Sequence, residues 1–281
     1  MSTFNYANAK INLTLDVLGR RGDGYHEVAM ILHEIPLADE VAVERTASGI
    51  EVVVPSFLPS DGRNTAYKAA RAFFAETGIT GGVRIEIRKI IPVEAGLAGG
   101  SADAAAVLMG MNELFEAGLS VEKLKEIGLR IGADVPFCIM GGAAFACGIG
   151  ERLTAVPTLP TCHIVICKPS KGLSTAEIYR RIDSAARSLR PDNNAMIAAL
   201  KAHDLKAVAL NLCNVMEEVS VELIPEIADI KRSMCLYGAL NACMSGSGPS
   251  VFGIFDDEMS AKAAETAFKE DYTQVFRLAV K

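Results

Sequence analysis

Apolar and polar residues alternate strictly between positions 10 and 17, where Ile11, Leu13, Leu15 and Val17 are separated by Lys10, Asn12, Thr14 and Asp16. That two-residue period predicts a half-buried strand and sets Lys10 and Asn12 on one face. Beyond a turn at Gly22-Asp23-Gly24, the apolar run 28–35 predicts a returning strand, with further strands over 40–44 and 50–54. At Asn64 the period lengthens. Ala66, Ala69, Ala70, Phe73 and Phe74 recur at helical spacing between Asn64 as an N-cap and Gly78 as the stop. Val83, Ile85 and Ile87 alternate with charges as another strand, which leads through Pro92 and a glycine-containing loop into an alanine-rich helix over 102–117. Ser120 caps a helix to Ile131, and the turn 132–136 and a strand over 143–147 come next.

Pro157 and Pro160 then punctuate a change of domain, so two domains are expected, 1–156 and 157–281. In the second, the pattern predicts a strand over 163–167 and helices over 174–188, 194–201, 205–212 and 225–237, the last with Pro225 in its first turn. Strands over 239–244 and 251–255 are joined by Ser245-Gly246-Ser247-Gly248-Pro249, and a helix and a last strand close the chain. The mixture is α+β, without internal repeats.

Composition narrows the function classes. The chain has 281 residues, half of them hydrophobic and 22% charged, which excludes the disorder signature. A net charge of -6 without a basic run argues against nucleic acid as a partner. Seven cysteines without a CxxC, and four histidines without metal-ligand spacing, suggest neither a disulfide framework nor a protein-held metal. Free thiols among apolar runs fit a cytoplasmic protein, and neither a secretory leader nor a membrane span is expected.

The candidate chemistry starts at Pro92, Val93, Glu94, Ala95, Gly96, Leu97, Ala98, Gly99, Gly100 and Ser101, running into Ala102 and Asp103 between a strand and a helix. Free backbone amides and the helix dipole favour an anion there, and glycines let the backbone approach it closely. The spacing matches neither GxGxxG nor GxxxxGK[ST], so a phosphate cradle and a plain glycine-lined turn both remain open. Taken alone, Lys10 reads as a solvated strand cation and Asp134 as a turn residue ahead of Pro136. An acid in apolar surroundings nevertheless needs a partner, and lysine is the natural one.

With its flanks, the glycine segment resembles the signature of the GHMP kinases, which include the galactokinases, homoserine kinases and mevalonate kinases. Four further blocks, in order, extend the resemblance over most of the chain: Ala9-Lys10-Ile11-Asn12, Gly22-Asp23-Gly24-Tyr25-His26, Gly132-Ala133-Asp134-Val135-Pro136 and Ser245-Gly246-Ser247-Gly248-Pro249. Ala98 stands where the family usually has glycine.

The resemblance implies the two-domain GHMP fold, an N-terminal domain like ribosomal protein S5 domain 2 and an α/β C-terminal domain, with ATP and substrate meeting between them. It implies ATP-dependent phosphorylation of a small alcohol bearing a cytidine diphosphate group, with Mg2+ on the phosphates. By position it makes residues 92–103 the nucleotide loop, with Asn64, Lys89 and Asp103 as candidate adenine contacts. Asp134 would accept the hydroxyl proton and Lys10 would stabilise charge. Asn12, Tyr25, His26 and Tyr179 would hold the substrate, with Tyr25, His26 and Tyr179 around cytosine and Ser245, Gly246 and Ser247 near its phosphates. Read without the family, Tyr25 and His26 could be a hairpin tip, Tyr179 a core-facing helix tyrosine, and the serine loop a simple turn. Homoserine kinase and mevalonate-pathway kinases are the alternative activities, and a monomer or weak homodimer is expected.

Overall fold

The computed structural model describes residues 2–183 and 189–281. They form two compact units that interleave along the chain. One comprises Met1–Ala9, Leu37–Ile91 and Ala98–Gly141, and the other Lys10–Pro36, Pro92–Leu97 and Gly142–Lys281. Two long strands, β1 (Ser2–Arg20) and β2 (His26–Thr46), run through both. The separate strands expected over 28–35 and 40–44 are thus one strand, which continues through Pro36.

In the first unit, β3 (Gly49–Val53) lies parallel to β4 (Gly82–Arg88), and β4 is antiparallel to residues 40–46 of β2. Four helices complete it: α1 (Thr65–Thr77), α2 (Gly99–Leu114), α3 (Val121–Leu129) and α4 (Val135–Met140). Asn64 and Ser120 cap α1 and α3 as their side-chain chemistry predicts, and Gly78 closes α1 at φ 66°. Helix α2 is buried nearly all round through Ala104, Ala105, Ala106, Val107 and Leu108, so small residues let its neighbours approach closely. Phe73 and Phe137 fill the core beside it, with Ile85 and Val43 from the strands. Helix α4 is missing from the sequence reading because residues 132–136, with Gly132 and Pro136, read as a turn; proline is compatible with a first helical turn.

In the second unit, β5 (Ala143–Gly148) pairs antiparallel with residues 28–33 of β2 and with β6 (Arg152–Ala155). The second sheet is built from β7 (Cys162–Lys168), with helices α5 (Thr175–Ile182), α6 (Asn193–Lys201) and α7 (Leu205–Leu210) next in sequence. A two-residue strand, β8 (Cys213–Asn214), runs parallel to β1 and precedes α8 (Glu217–Leu223) and α9 (Glu226–Leu236). Strands β9 (Asn241–Met244) and β10 (Val251–Phe255), helix α10 (Glu258–Asp271) and β11 (Gln274–Val280) finish the chain, giving the antiparallel order β11-β7-β10-β9. Part of the helix expected over 174–188 lies outside the described residues, and Pro225 is the N-cap of α9. Among the described residues, no helix is long and apolar enough to cross a membrane.

One expectation fails informatively. Residues 10–17 of β1 are buried on both faces, although their pattern predicts half-burial. The polar side chains find partners. Thr14 donates to Asn193 Oδ1 at 2.6 Å and accepts from the Ile31 amide, and Asp16 takes a 2.9 Å bond from Arg190. Buried polar groups that are hydrogen-bonded avoid most of the desolvation cost, so a strand with period-two polarity can be covered on both sides.

Candidate active site

In the first unit, α2 begins without a side-chain cap. Its N-cap is Ala98, held in the left-handed region at φ 59° and ψ 25°, and the Ala98 carbonyl accepts the Ser101 and Ala102 amides at 2.9 Å. The amides of Gly99 and Gly100 head the helix, where the dipole concentrates partial positive charge. Thr65 Oγ1 donates to the Gly100 carbonyl at 2.7 Å, tying the start of α1 to that of α2. Asn64 itself is spent on structure: its Oδ1 accepts the Ala66 amide at 2.8 Å and its Nδ2 donates to the Pro59 carbonyl.

Beneath Gly99 lies a buried ion network. Lys89 donates to Asp39 and, at 2.7 Å, to Asp103 Oδ2, and Asp39 Oδ1 also accepts the Ile90 and Ile91 amides. Burial raises the Asp103 carboxyl, opposed by Lys89 and assisted by Asp39. The side chains of Lys89 and Asp103, candidate adenine contacts by position, are thus paired with each other inside the unit.

Asp134 is the N-cap of α4 and makes no cap bond from its side chain. A Cβ placed on Gly132 would lie 3.6 Å from Ser101 Oγ, so the turn carrying Asp134 runs against the first turn of α2.

The second unit holds Lys10 in a built setting. The lysine is 4% exposed, and its ammonium donates to Asn12 Oδ1 at 2.8 Å and to the Gly96 carbonyl at 3.2 Å. Asn12 in turn faces Met30 Sδ. The reading of Lys10 as a solvated edge cation is therefore wrong. Gly96, at φ 76°, admits no side chain, because a Cβ would lie 2.0 Å from the Ser245 carbonyl oxygen. Ser245 Oγ donates to the same Gly96 carbonyl at 3.0 Å, and a Cβ on Gly246 would come within 3.3 Å of Lys10 Nζ. The serine loop is thus packed on residues 92–97 and on Lys10, and is more than a hairpin turn. Asn214 fixes it by donating to the Met244 and Gly246 carbonyls at 2.8 Å, while Ser247 shares a 2.8 Å hydroxyl contact with Thr175.

Away from this loop, the His26 and Tyr179 rings stack at 4.7 Å with 26° between their planes, and His26 Nε2 is 2.7 Å from Asp183 Oδ1. Tyr25 is 59% exposed on a turn braced by Arg21 with Asp23 and Glu27. Thr175, Asp183 and Asn214 escape a sequence reading because nothing local marks them; their partners lie 72, 157 and 30 or 32 positions away.

Comparison with known proteins matches residues 64–142 to the family described as GHMP kinases N terminal domain and residues 196–274 to GHMP kinases C terminal. A 4-diphosphocytidyl-2-C-methyl-D-erythritol kinase of Syntrophomonas wolfei subsp. wolfei is 47% identical, covering 97% of this chain and 96% of its own. That of Acetivibrio thermocellus is 48% identical, covering 96% of each. A crystal structure of a 4-(cytidine 5'-diphospho)-2C-methyl-D-erythritol kinase superposes with a TM-score of 0.83 at 34% identity, over 99% of this chain and 98% of that one. Homoserine kinase from Cytophaga hutchinsonii shares the fold at 20% identity and a TM-score of 0.77, covering 99% of this chain and 93% of its own.

Proposed function

Since the chain belongs to the GHMP kinases and, within them, to the 4-diphosphocytidyl-2-C-methyl-D-erythritol kinases, we propose that it moves the γ-phosphoryl group of ATP to the 2-hydroxyl of 4-diphosphocytidyl-2-C-methyl-D-erythritol. The products are the 2-phosphate and ADP, a step of non-mevalonate isoprenoid synthesis. The observation that carries this reading is the 47–48% identity to kinases of that name over nearly the whole of both chains. The likeness to homoserine kinase concerns the fold alone. The matched segments fall on either side of residue 157, which supports an N-terminal, ATP-binding GHMP kinase domain over 1–156 and a C-terminal GHMP kinase domain over 157–281 at the level of the family.

The α2 N-terminus fits phosphate: two glycine amides lead the helix, and no side chain caps them. Mg2+ would be held mainly by the ATP phosphates and water, as a cation that needs few protein ligands. When bound there, it neutralises charge on the phosphates. Asp134, the N-cap residue of α4, accepts the hydroxyl proton as the bond to phosphorus forms. Lys10 stabilises charge on the transferring group, and Asn12 and Gly96 fix its ammonium. His26 and Tyr179 supply a cytosine platform. Their direct stack leaves no room between the rings, so the base lies against an outer face, with exposed Tyr25 available to cover it.

The test is ADP release by purified protein offered 4-diphosphocytidyl-2-C-methyl-D-erythritol, homoserine or mevalonate with MgATP. Turnover with the first alone is expected; turnover with either of the others in its place would replace this reading with the alternative.

A further inference from the structure

The Asp39–Lys89–Asp103 network joins β2, the residue after β4 and α2, and all three side chains are at most 7% exposed. It holds one cation and two carboxylates. Asp39 is the better-solvated acid, because two backbone amides and Lys89 all donate to it. Asp103 accepts one bond, from Lys89; its side chain lies against the Asp39 carboxyl, and no donor reaches its buried Oδ1. The network also lies directly under the helix start: a methyl built on Gly99 would sit 3.4 Å from Lys89 Nζ. With both acids ionised, the network carries a net negative charge below the amides that would receive phosphate.

We infer that this network positions the first turn of α2 for the nucleotide and that Asp103 takes up a proton when phosphate binds there. The inference rests on the phosphate-binding reading of α2. An arriving polyanion disfavours the second buried negative charge, and protonation of Asp103 leaves the neutral pair Asp39–Lys89. The direction agrees with a carboxyl already raised to about 7 by burial. The charged groups acting on it are Lys89 and Asp39; of the helices packed on α2, α1 turns Ala66, Ala69 and Phe73 inward, α3 turns Leu124 and Ile127, and α4 buries Val135, Phe137 and Ile139 behind its cap residue Asp134. The sign comes from linkage: nucleotide affinity is highest below the unliganded pKa and falls as pH rises through it.

Calorimetric titration of the whole protein with MgADP, from pH 6 to 8.5 in buffers of differing ionisation heat, tests this. Uptake of about half a proton near pH 7.5 is expected, with affinity falling about five- to tenfold from pH 6.5 to 8.5. Asp103→Asn should abolish the uptake and flatten the pH profile. Asp39→Asn should do the same by leaving Asp103 as the sole partner of Lys89, and it serves if Asp103→Asn does not fold. MgADP binding without proton uptake, or uptake persisting in either folded variant, overturns the inference. Failure of MgADP to bind at all overturns the phosphate-binding reading instead.

Discussion

A histidine sealed inside a core resists protonation, and His33 on β2 is such a residue. Its Nε2 accepts the Leu159 amide at 2.9 Å, and burial pushes its pKa down to about 4. The folded value lies below the unfolded one of 6.5, so the unfolded chain takes the proton first as pH falls. The associated stability is therefore full above about pH 6.5 and is lost on descent toward about pH 4, by at most about 3 kcal/mol. Urea unfolding at pH 7.5 and 4.5 should show His33→Gln losing distinctly less than the wild type over that interval, and equal losses would remove His33 as the cause. Ala98 makes a second case, because its left-handed φ of 59° strains any residue with a Cβ. Such a residue costs about 1–2 kcal/mol, part of which glycine returns as unfolded-state entropy. Ala98→Gly should accordingly raise the urea midpoint by the equivalent of about 0.5–1 kcal/mol with the slope unchanged.

At the level of elements, the two glycines that open α2 separate binding from stability. A side chain at Gly99 meets the buried Ile91 Cγ2 at 3.0 Å and the Lys89 ammonium, whereas at Gly100 it meets only Thr65, with Oγ1 at 3.3 Å. Gly100→Val is expected to weaken MgATP binding at least about tenfold, or 1.4 kcal/mol, with a melting temperature near wild type. Gly99→Val should lower both, as read by calorimetry and thermal melting. Helices such as α1 and α3 were legible because their caps are local chemistry: Asn64, Gly78 and Ser120 act within four residues. Strand β8 and the burial of both faces of β1 were not, since they depend on Asn193, Arg190 and Cys213, some 170 to 200 positions from their partners. A period of two reports which side chains share a face; it cannot report that the polar face has found partners.

Across the whole molecule, the motifs were visible but their supports were not. Lys10, Gly96 and the serine loop could be named from sequence, whereas the Asn214 clamp that fixes the loop, and the ion network under Gly99, are products of tertiary folding. The proposed chemical step rests on Asp134 and Lys10. An alkyl hydroxyl is a poor nucleophile at neutral pH, and a placed carboxylate that accepts its proton contributes about 10² to 10⁴-fold. Asp134→Asn keeps the size of the cap residue but cannot accept that proton, and Lys10→Met keeps much of the buried stem without the charge. Each should lower kcat at least about a hundredfold while the dissociation constants for both substrates change far less. If the two residues serve one step, the double variant loses much less than the product of the single losses, because removing either already disables proton transfer and charge stabilisation together. Retention of more than a tenth of kcat by Asp134→Asn would leave positioning and phosphate electrostatics alone to account for the rate.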